Sequence, residues 1–550
     1  MRKTSRVGVA MLLATIACSS SETESTAGDI GGTLLIALPV EPGTILPPFL
    51  GASHEKEVSE QLFDVLADIG PDLNTIGDAG WTPRLAESWQ WSADSMSIAF
   101  KLHPGAHWHD GRSLTSADVQ FSLVLNKDPA TGSRIARALA DIDSISTPDS
   151  VTAVVWYARR SPEQFYNIAY NLAILPKHLL LDADRANLRS HAFARNPVGS
   201  GPFRFVRWDA RSLIEVAADT TYHLGRPLLN RVMWMLNPDP NAAVENAIAG
   251  EVDVFETLTP DGLARIAGQT TVRAVQYTPL NYGYFGFNMR DPKNPSRPHA
   301  LFADRNLRRA IAMTINRSLL VGNVYESTAL VGAGPFSRVY RTADTTLHAL
   351  PFDSTGADRL LDSLGWKDGN SDGVREKDGR PLRFAITYPS SSTPRRRFAE
   401  LLQAQMKPHG IQVDVDPAEM SVFVPRIFSS RFDAIVNNWI VDPAPSNVRE
   451  HWHTMPDKNR ALNLQLYSNP AVDAALDSAA AEWNVERSIA LYRKAYQAIT
   501  DDVPAVWLYE NRPFMAIHSR VQPNLTAPDA WWRNLRLWSI PKDKRLPRDG

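Results

Sequence analysis

Two hydrophobic rhythms alternate along this 550-residue chain, and together they leave few folds open. Apolar residues at every second position mark a half-buried strand, whereas a spacing near 3.6 marks a helix. Thr33 to Leu38 is a compact apolar run that predicts a first, buried strand. Arg231 to Leu236 predicts another, Pro240 to Ala249 a helix closed by Gly250, and Val252 to Phe255 a third strand. Together these last three form a βαβ unit. A second unit is cleaner: Leu382, Phe384, Ile386 and Tyr388 alternate, and Phe398, Leu401, Leu402 and Met406 keep helical spacing. Ile411, Val413 and Val415 alternate again after Gly410. Two such units, far apart in the chain, predict an α/β protein with two lobes, each built on its own sheet. The turn-rich stretch from Trp81 to Pro197 is expected to form a smaller α+β subdomain.

Charge and size narrow the function. The formal net charge is −2 with both signs dispersed, so no basic face for nucleic acid is expected. A chain this long holds two or three domains with substantial cores. Fifteen tryptophans and fourteen tyrosines supply amphipathic rings that suit a solute cleft as well as a core. There is no G-x-S-x-G elbow, H-E-x-x-H, phosphate loop or complete G-x-G-x-x-G. Binding without a cofactor, rather than catalysis, is the expectation.

Three local patterns invite a metal reading and do not sustain it. Asp368-Gly-Asn370-Ser-Asp372-Gly373 matches the first half of a calcium loop, but Gly379 stands where the bidentate glutamate belongs. Asp, Asn and Gly also dominate ordinary turns. The pairs His107/His109 and His451/His453 lack an evident third ligand, and structural roles are expected for all four.

The amino terminus has a character of its own. Arg2, Lys3 and Arg6 precede an apolar run from Val7 to Ala17, too short for a permanent membrane span of about 20 residues. The run ends at Cys18, the only cysteine in the chain, and a small, polar tether follows from Ser19 to Gly31. The segment resembles the lipobox of bacterial lipoproteins, although Thr15 stands where leucine or valine is usual. The resemblance implies that residues 1–18 are a signal peptide and that lipid on Cys18 anchors an exported protein to the membrane.

Several motifs then appear in a fixed order. Pro83-Arg-Leu-Ala-Glu-Ser-Trp89, Ser92-Ala-Asp94, Phe100-Lys-Leu102 and Trp108-His-Asp-Gly111 come first. Leu114-Thr-Ser-Ala-Asp118-Val119, Phe121-Ser122, Asp128-Pro129 and Pro197-Val-Gly-Ser-Gly-Pro-Phe203 follow. Later come Asn288, Arg308-Arg-Ala-Ile311, Asn316-Arg317, Ala357 to Trp366, Gly410-Ile411, Trp439-Ile-Val-Asp442-Pro443 and Tyr467-Ser-Asn-Pro-Ala-Val-Asp473. From Gly32 to about Pro541 the chain resembles the peptide/nickel/opine class of extracellular solute-binding proteins, which serve ATP-driven importers. The resemblance implies a type II periplasmic-binding-protein fold with two hinged lobes closing on a ligand. It assigns 32–60, 200–283 and 510–550 to the first lobe, 61–199 to the extra subdomain and 284–509 to the second lobe. The chain then crosses between lobes near Tyr282 and Tyr509.

The same resemblance points to ligand contacts. Asp433 to Trp439 reads as a strand, so Asp442 falls just past its carboxyl end, where open α/β sheets place ligands. In peptide-binding relatives an aspartate at this position pairs with the ligand's N-terminal ammonium. If that pair were buried, Asp442→Ala would cost about 3–5 kcal/mol of affinity. Trp439 is a candidate wall, and Tyr282, Tyr284, Phe285 and Asn288 are candidates at the lobe crossing. Glu41, in the segment Val40 to Ile45 that resembles the edge pairing with a peptide main chain, completes the set. The expected partners are a peptide-like ligand and the subunits of a membrane permease, with the protein acting as a monomer. A non-peptide solute such as a metal chelate, opine, sugar or antibiotic-like compound is the alternative, and an enzyme or sensory subunit a more distant one.

Overall fold

The computed structural model describes residues 30–347, 349–454 and 462–549, so Cys18 and most of the expected tether lie outside the described residues. Both expected βαβ units are present, one in each of two large sheets. In the seven-stranded sheet Thr33–Leu38 is central and fully buried, flanked in parallel by Arg231–Leu236 and Val254–Phe255. Pro240–Ala249 is the crossover helix. Asp239 caps its start, and Gly250 ends it at φ 77, the left-handed conformation that glycine adopts without steric cost. In the six-stranded sheet Arg383–Pro389 pairs in parallel with Gln412–Ala418 and Ala434–Ile440. Thr393–Met406 crosses over it and buries Phe398, Ala399, Leu402 and Met406.

The chain passes between these sheets twice, from Gln276 to Asn281 and from Asn511 to Phe514. The two passages are bonded to each other. Arg512 donates to the Gln276 side chain at 2.5 Å, and the Asn511 backbone N–H donates to Asn281 Oδ1 at 3.3 Å. Two short, mutually bonded connections between rigid sheets are the usual anatomy of a hinge.

A third, four-stranded antiparallel sheet holds Ala86–Trp91, Ser97–Leu102, Thr152–Tyr157 and Ile142–Ser146, packed by the helix Ser116–Lys127. Its motifs turn out to be structural. Asp118 caps its helix by accepting from the Thr115 N–H at 2.8 Å and hydroxyl at 3.0 Å, and it also accepts from Lys177 N–H at 3.0 Å. His109 bonds the Gly201 carbonyl at 2.9 Å and the Gly199 N–H at 3.2 Å, joining the motif at 108–111 to that at 197–203. A side chain at Gly199 would place Cβ 1.7 Å from the Leu62 carbonyl oxygen, so only glycine fits there. The apolar core of this small sheet runs on into that of the six-stranded sheet.

The Asp368–Gly373 loop is a turn held by its own backbone. Asp368 accepts from the N–H groups of Asp372 and Gly373, Asn370 from Asp372, and Asp372 from Val374. No described helix is long and apolar enough to cross a membrane.

Candidate functional site

A cavity of about 700 Å³ lies between the two large sheets, within the roughly 300–1,000 Å³ typical of small-ligand sites. A side pocket of about 190 Å³ shares Lys56, Glu60, Arg134, Tyr170 and Asp442 with it. Lys56 pairs with Asp442 across the cavity at 2.8 Å, while Arg137 to Glu450 at 3.4 Å and Arg341 to Asp72 at 3.1 Å join the small-sheet region to the side of the six-stranded sheet.

The stretch after the strand Ala434–Ile440 forms one wall, as its position at the carboxyl end of a parallel strand predicts. Asp442 lines the cavity, and its backbone carbonyl accepts from the Tyr340 hydroxyl at 2.8 Å. Its carboxylate is not waiting alone. The Lys56 ammonium, from the helix Ser53–Leu62 on the facing side, binds it, and that charge holds the Lys56 pKa above its usual range against the opposing effect of burial. The Asp442 side chain is 42 % exposed, so the fully buried pair behind the larger expected energy is not what forms here.

Trp439 also lines the cavity, half-buried, stacked on His451 with ring centroids 4.1 Å apart and planes within 6°. Ile440 next to it is 64 % exposed, an apolar wall with no protein side chain covering most of it. Burial pushes His451 down to about 3, so its imidazole is neutral at ordinary pH. The Tyr282 hydroxyl can then donate to His451 Nδ1 at 3.1 Å while accepting from Trp452 Nε1 at 3.2 Å. His453 faces Asp473 and Asp477 instead, and His107 bonds the Thr221 hydroxyl with Asp219 close by.

Five candidates from the sequence do not line the cavity. Tyr282, Tyr284 and Phe285 lie on the strand Asn281–Phe287, every residue of which is buried because neighbouring strands pair on both sides and apolar layers cover both faces. Phe285 packs on Phe287 and Phe384, and the Tyr284 hydroxyl accepts from Asn437 at 3.4 Å. A side chain at Gly283 on this strand would lie 2.2 Å from the Tyr509 ring. Asn288 is fully buried and ties down a loop, donating to the carbonyls of Ser430 and Phe432 at 2.8 Å. Glu41 is held by Trp208 Nε1 at 2.9 Å, away from the cavity, and residues 40–45 do not line it. Leu50, Gly51 and Ala52 do.

The sequence reading missed the opposite wall. Glu256 follows directly on the parallel strand Val254–Phe255, so it stands to the seven-stranded sheet much as Asp442 stands to the six-stranded one. Applying the strand-end rule to both βαβ units would have found it. Its carboxylate accepts from the Tyr277 hydroxyl at 3.1 Å, and burial raises its pKa above the usual carboxylate range. Lys56 and Glu60, at i and i+4 of one helix, face the cavity together, and Trp532 Nε1 donates to Glu60 at 2.9 Å. Asp529 is neutralised by Arg533 at 2.5 Å and accepts from the Tyr170 hydroxyl at 3.0 Å.

The model of the bacterial extracellular solute-binding proteins, family 5 Middle, matches residues 80–459. The oligopeptide-binding protein AppA of Bacillus subtilis (strain 168) is 28 % identical over 535 residues, covering 95 % of both chains. Its solved structure, in complex with a nonapeptide, superposes with a TM-score of 0.78 at 25 % identity over 93 % of this chain and 99 % of that one. NikZ from Campylobacter jejuni, in complex with Ni(L-His), has the same fold at a TM-score of 0.77 and 23 % identity, over 92 % and 99 % of the two chains. The fold is that of the type II periplasmic binding proteins.

Proposed function

Because the chain belongs to the bacterial extracellular solute-binding proteins of family 5, we propose that it captures peptides between its lobes and passes them to the membrane permease of an ABC importer. The family and fold are those of substrate-binding proteins, and on this reading the protein binds its ligand without turning it over. One observation carries the peptide assignment. A cavity of about 700 Å³ has a carboxylate, Asp442, just past a strand's carboxyl end, inside the segment Trp439–Pro443 that resembles peptide-binding relatives. The near full-length likeness to an oligopeptide-binding protein supports it.

On this reading the Lys56 ammonium marks the place of the ligand's own ammonium. A peptide's amino terminus shares or takes over the charge of Asp442, while Trp439 and Ile440 supply apolar contact. Closure between the sheets excludes water and strengthens that contact. The protein acts as a monomer, and lipid on Cys18 keeps it beside the permease.

Calorimetry tests the assignment. Peptides with a free amino terminus are expected to bind the unaltered protein and to lose about 2 kcal/mol, roughly thirtyfold in Kd, on Asp442→Ala. Unchanged affinity for the variant would remove Asp442 from the site. For the anchor, Cys18→Ala is expected to move the protein from the membrane fraction to the soluble one. Retention on the membrane would rule out that tether.

A further inference from the structure

The acids around the cavity are not all paired: Glu60 has the Trp532 indole at 2.9 Å and feels the charges of Lys56 and Arg533, whereas Glu256 feels neither. Asp442 has Lys56 at 2.8 Å, Asp529 has Arg533 at 2.5 Å, and Glu450 has Arg137 at 3.4 Å. Glu256 has no cation within salt-bridge distance among the described residues; it accepts from the Tyr277 hydroxyl and lies beside the Trp531 indole, both neutral donors.

A second acid, on the helix Ser53–Leu62, is near it. Glu57 is fully buried, and its Oε1 accepts from Trp234 Nε1 at 2.6 Å, but its Oε2 has no partner among the described residues. It is close enough to feel Glu256: burial first, then the charge of Glu256, hold its carboxyl well above the usual range. An unpartnered buried carboxyl oxygen is costly, on the order of 1–3 kcal/mol, and proteins ordinarily pair such groups or neutralise them. The neighbouring walls are aromatic, formed by Tyr277, Trp531 and Trp532, whose ring faces favour a cation over an anion.

Resting on the peptide reading above, we infer that Glu256, backed by Glu57 and walled by Tyr277 and Trp531, is a subsite for a basic side chain of the bound peptide. The ligand brings the missing positive charge. A lysine ammonium or arginine guanidinium there would bond the Glu256 carboxylate with its hydrocarbon stem along the rings, and it would favour ionisation of both acids. The specificity is then for peptides with a basic residue at one position, not for peptides at large. Asp442 cannot supply this selectivity, since every free amino terminus carries the same charge.

The test is a panel of three synthetic pentapeptides that differ at one position, carrying arginine, glutamine or glutamate, titrated calorimetrically into the intact protein. The position is scanned along the peptide. At one position arginine is expected to bind at least about tenfold tighter than glutamine, and glutamate weaker than both. Glu256→Gln, an isosteric change that keeps the Tyr277 hydrogen bond, is expected to erase most of the arginine preference. Equal affinities of the three peptides at every position would overturn the subsite while leaving peptide capture standing. A preference that survives Glu256→Gln would overturn it too. Binding of none of the peptides would overturn both readings together. The unaltered protein alone decides between equal and unequal affinities, so the outcome does not depend on how the variant folds.

Discussion

The two-residue strand Val254–Phe255 carries an acid at each end, and the two acids have opposite surroundings. Asp253, before the strand, is fully buried and fully compensated. Arg520 binds it through Nε at 2.6 Å and Nη2 at 2.7 Å, Arg548 adds a contact at 3.1 Å, and it accepts from the Leu35 N–H at 2.9 Å. Arg520 also binds Asp549, which accepts from the Thr33 N–H at 2.7 Å, so this cluster fastens the chain's end to the central strand. Glu256, after the strand, meets no cation among the described residues and has Glu57 close enough to feel its charge. The amino end of the strand faces the body of the lobe, where an uncompensated charge would only cost stability. The carboxyl end faces the cleft, where a ligand can complete what the protein leaves open. A buried carboxylate is thus read by its partners and not by its burial alone.

The largest expected effect falls on the compensated end. Asp253→Ala takes from the buried Arg520 guanidinium its two-point carboxylate partner, leaving Asp549 alone, and is expected to cost about 3 kcal/mol in denaturant unfolding. A loss below about 1 kcal/mol would erase the distinction between the two ends.

A pH effect comes next, from the cavity's other wall. Burial lowers His451 in the folded protein to about 3, against an ordinary value near 6.5. A base depressed by folding contributes stability that is present above pH 6.5 and is lost as pH falls towards 3. At pH 5 the loss is about 2 kcal/mol for this one group. His451→Phe, which keeps a ring against Trp439, is expected to flatten the unfolding free energy between pH 7 and pH 5. An unchanged slope would show that the imidazole titrates normally.

A pH effect of the opposite direction belongs to Glu57. An acid raised by folding adds stability at pH below its unfolded value and loses it as pH rises through the folded value. Glu57→Gln is therefore expected to make the unfolding midpoint fall less between pH 5 and pH 9, with little change at pH 5. A steeper fall would mean that the carboxylate is compensated by a group outside the described residues.

How much of this was legible in the sequence depended on what kind of fact was sought. Both βαβ units were readable because a fully parallel strand is a continuous or alternating apolar run, and Thr33–Leu38 and Arg383–Pro389 are such runs. Asp442 was readable because the strand-end rule is local: it needs only the end of Ala434–Ile440. Tyr282, Tyr284 and Phe285 misled because a strand paired on both sides and covered on both faces presents rings to the core that a sequence cannot tell from rings presented to a cleft. Tyr282 and Trp439 stand opposite each other in register, yet only Trp439, near the strand's carboxyl end, reaches the cavity. Asn288 and Glu41 were spent on a loop carbonyl and an indole, pairings set by tertiary contacts. Lys56 and Glu57 were out of reach for the same reason: one helix turn, Ser53–Leu62, aims one at Asp442, 386 residues away, and the other at Trp234. The motifs at 108–111, 114–119 and 197–203 identify the family because they build the subdomain and its joint with the first sheet, and that is why they say little of the ligand.

The central claim is that the cleft holds peptides, selected at the Glu256 end for a basic side chain. Mass spectrometry of the small molecules released on denaturing protein purified from its native host tests it most directly. The account predicts a mixture of short peptides enriched in lysine or arginine. A metal chelate, an opine, a sugar or any other single non-peptide solute at stoichiometric occupancy would contradict it.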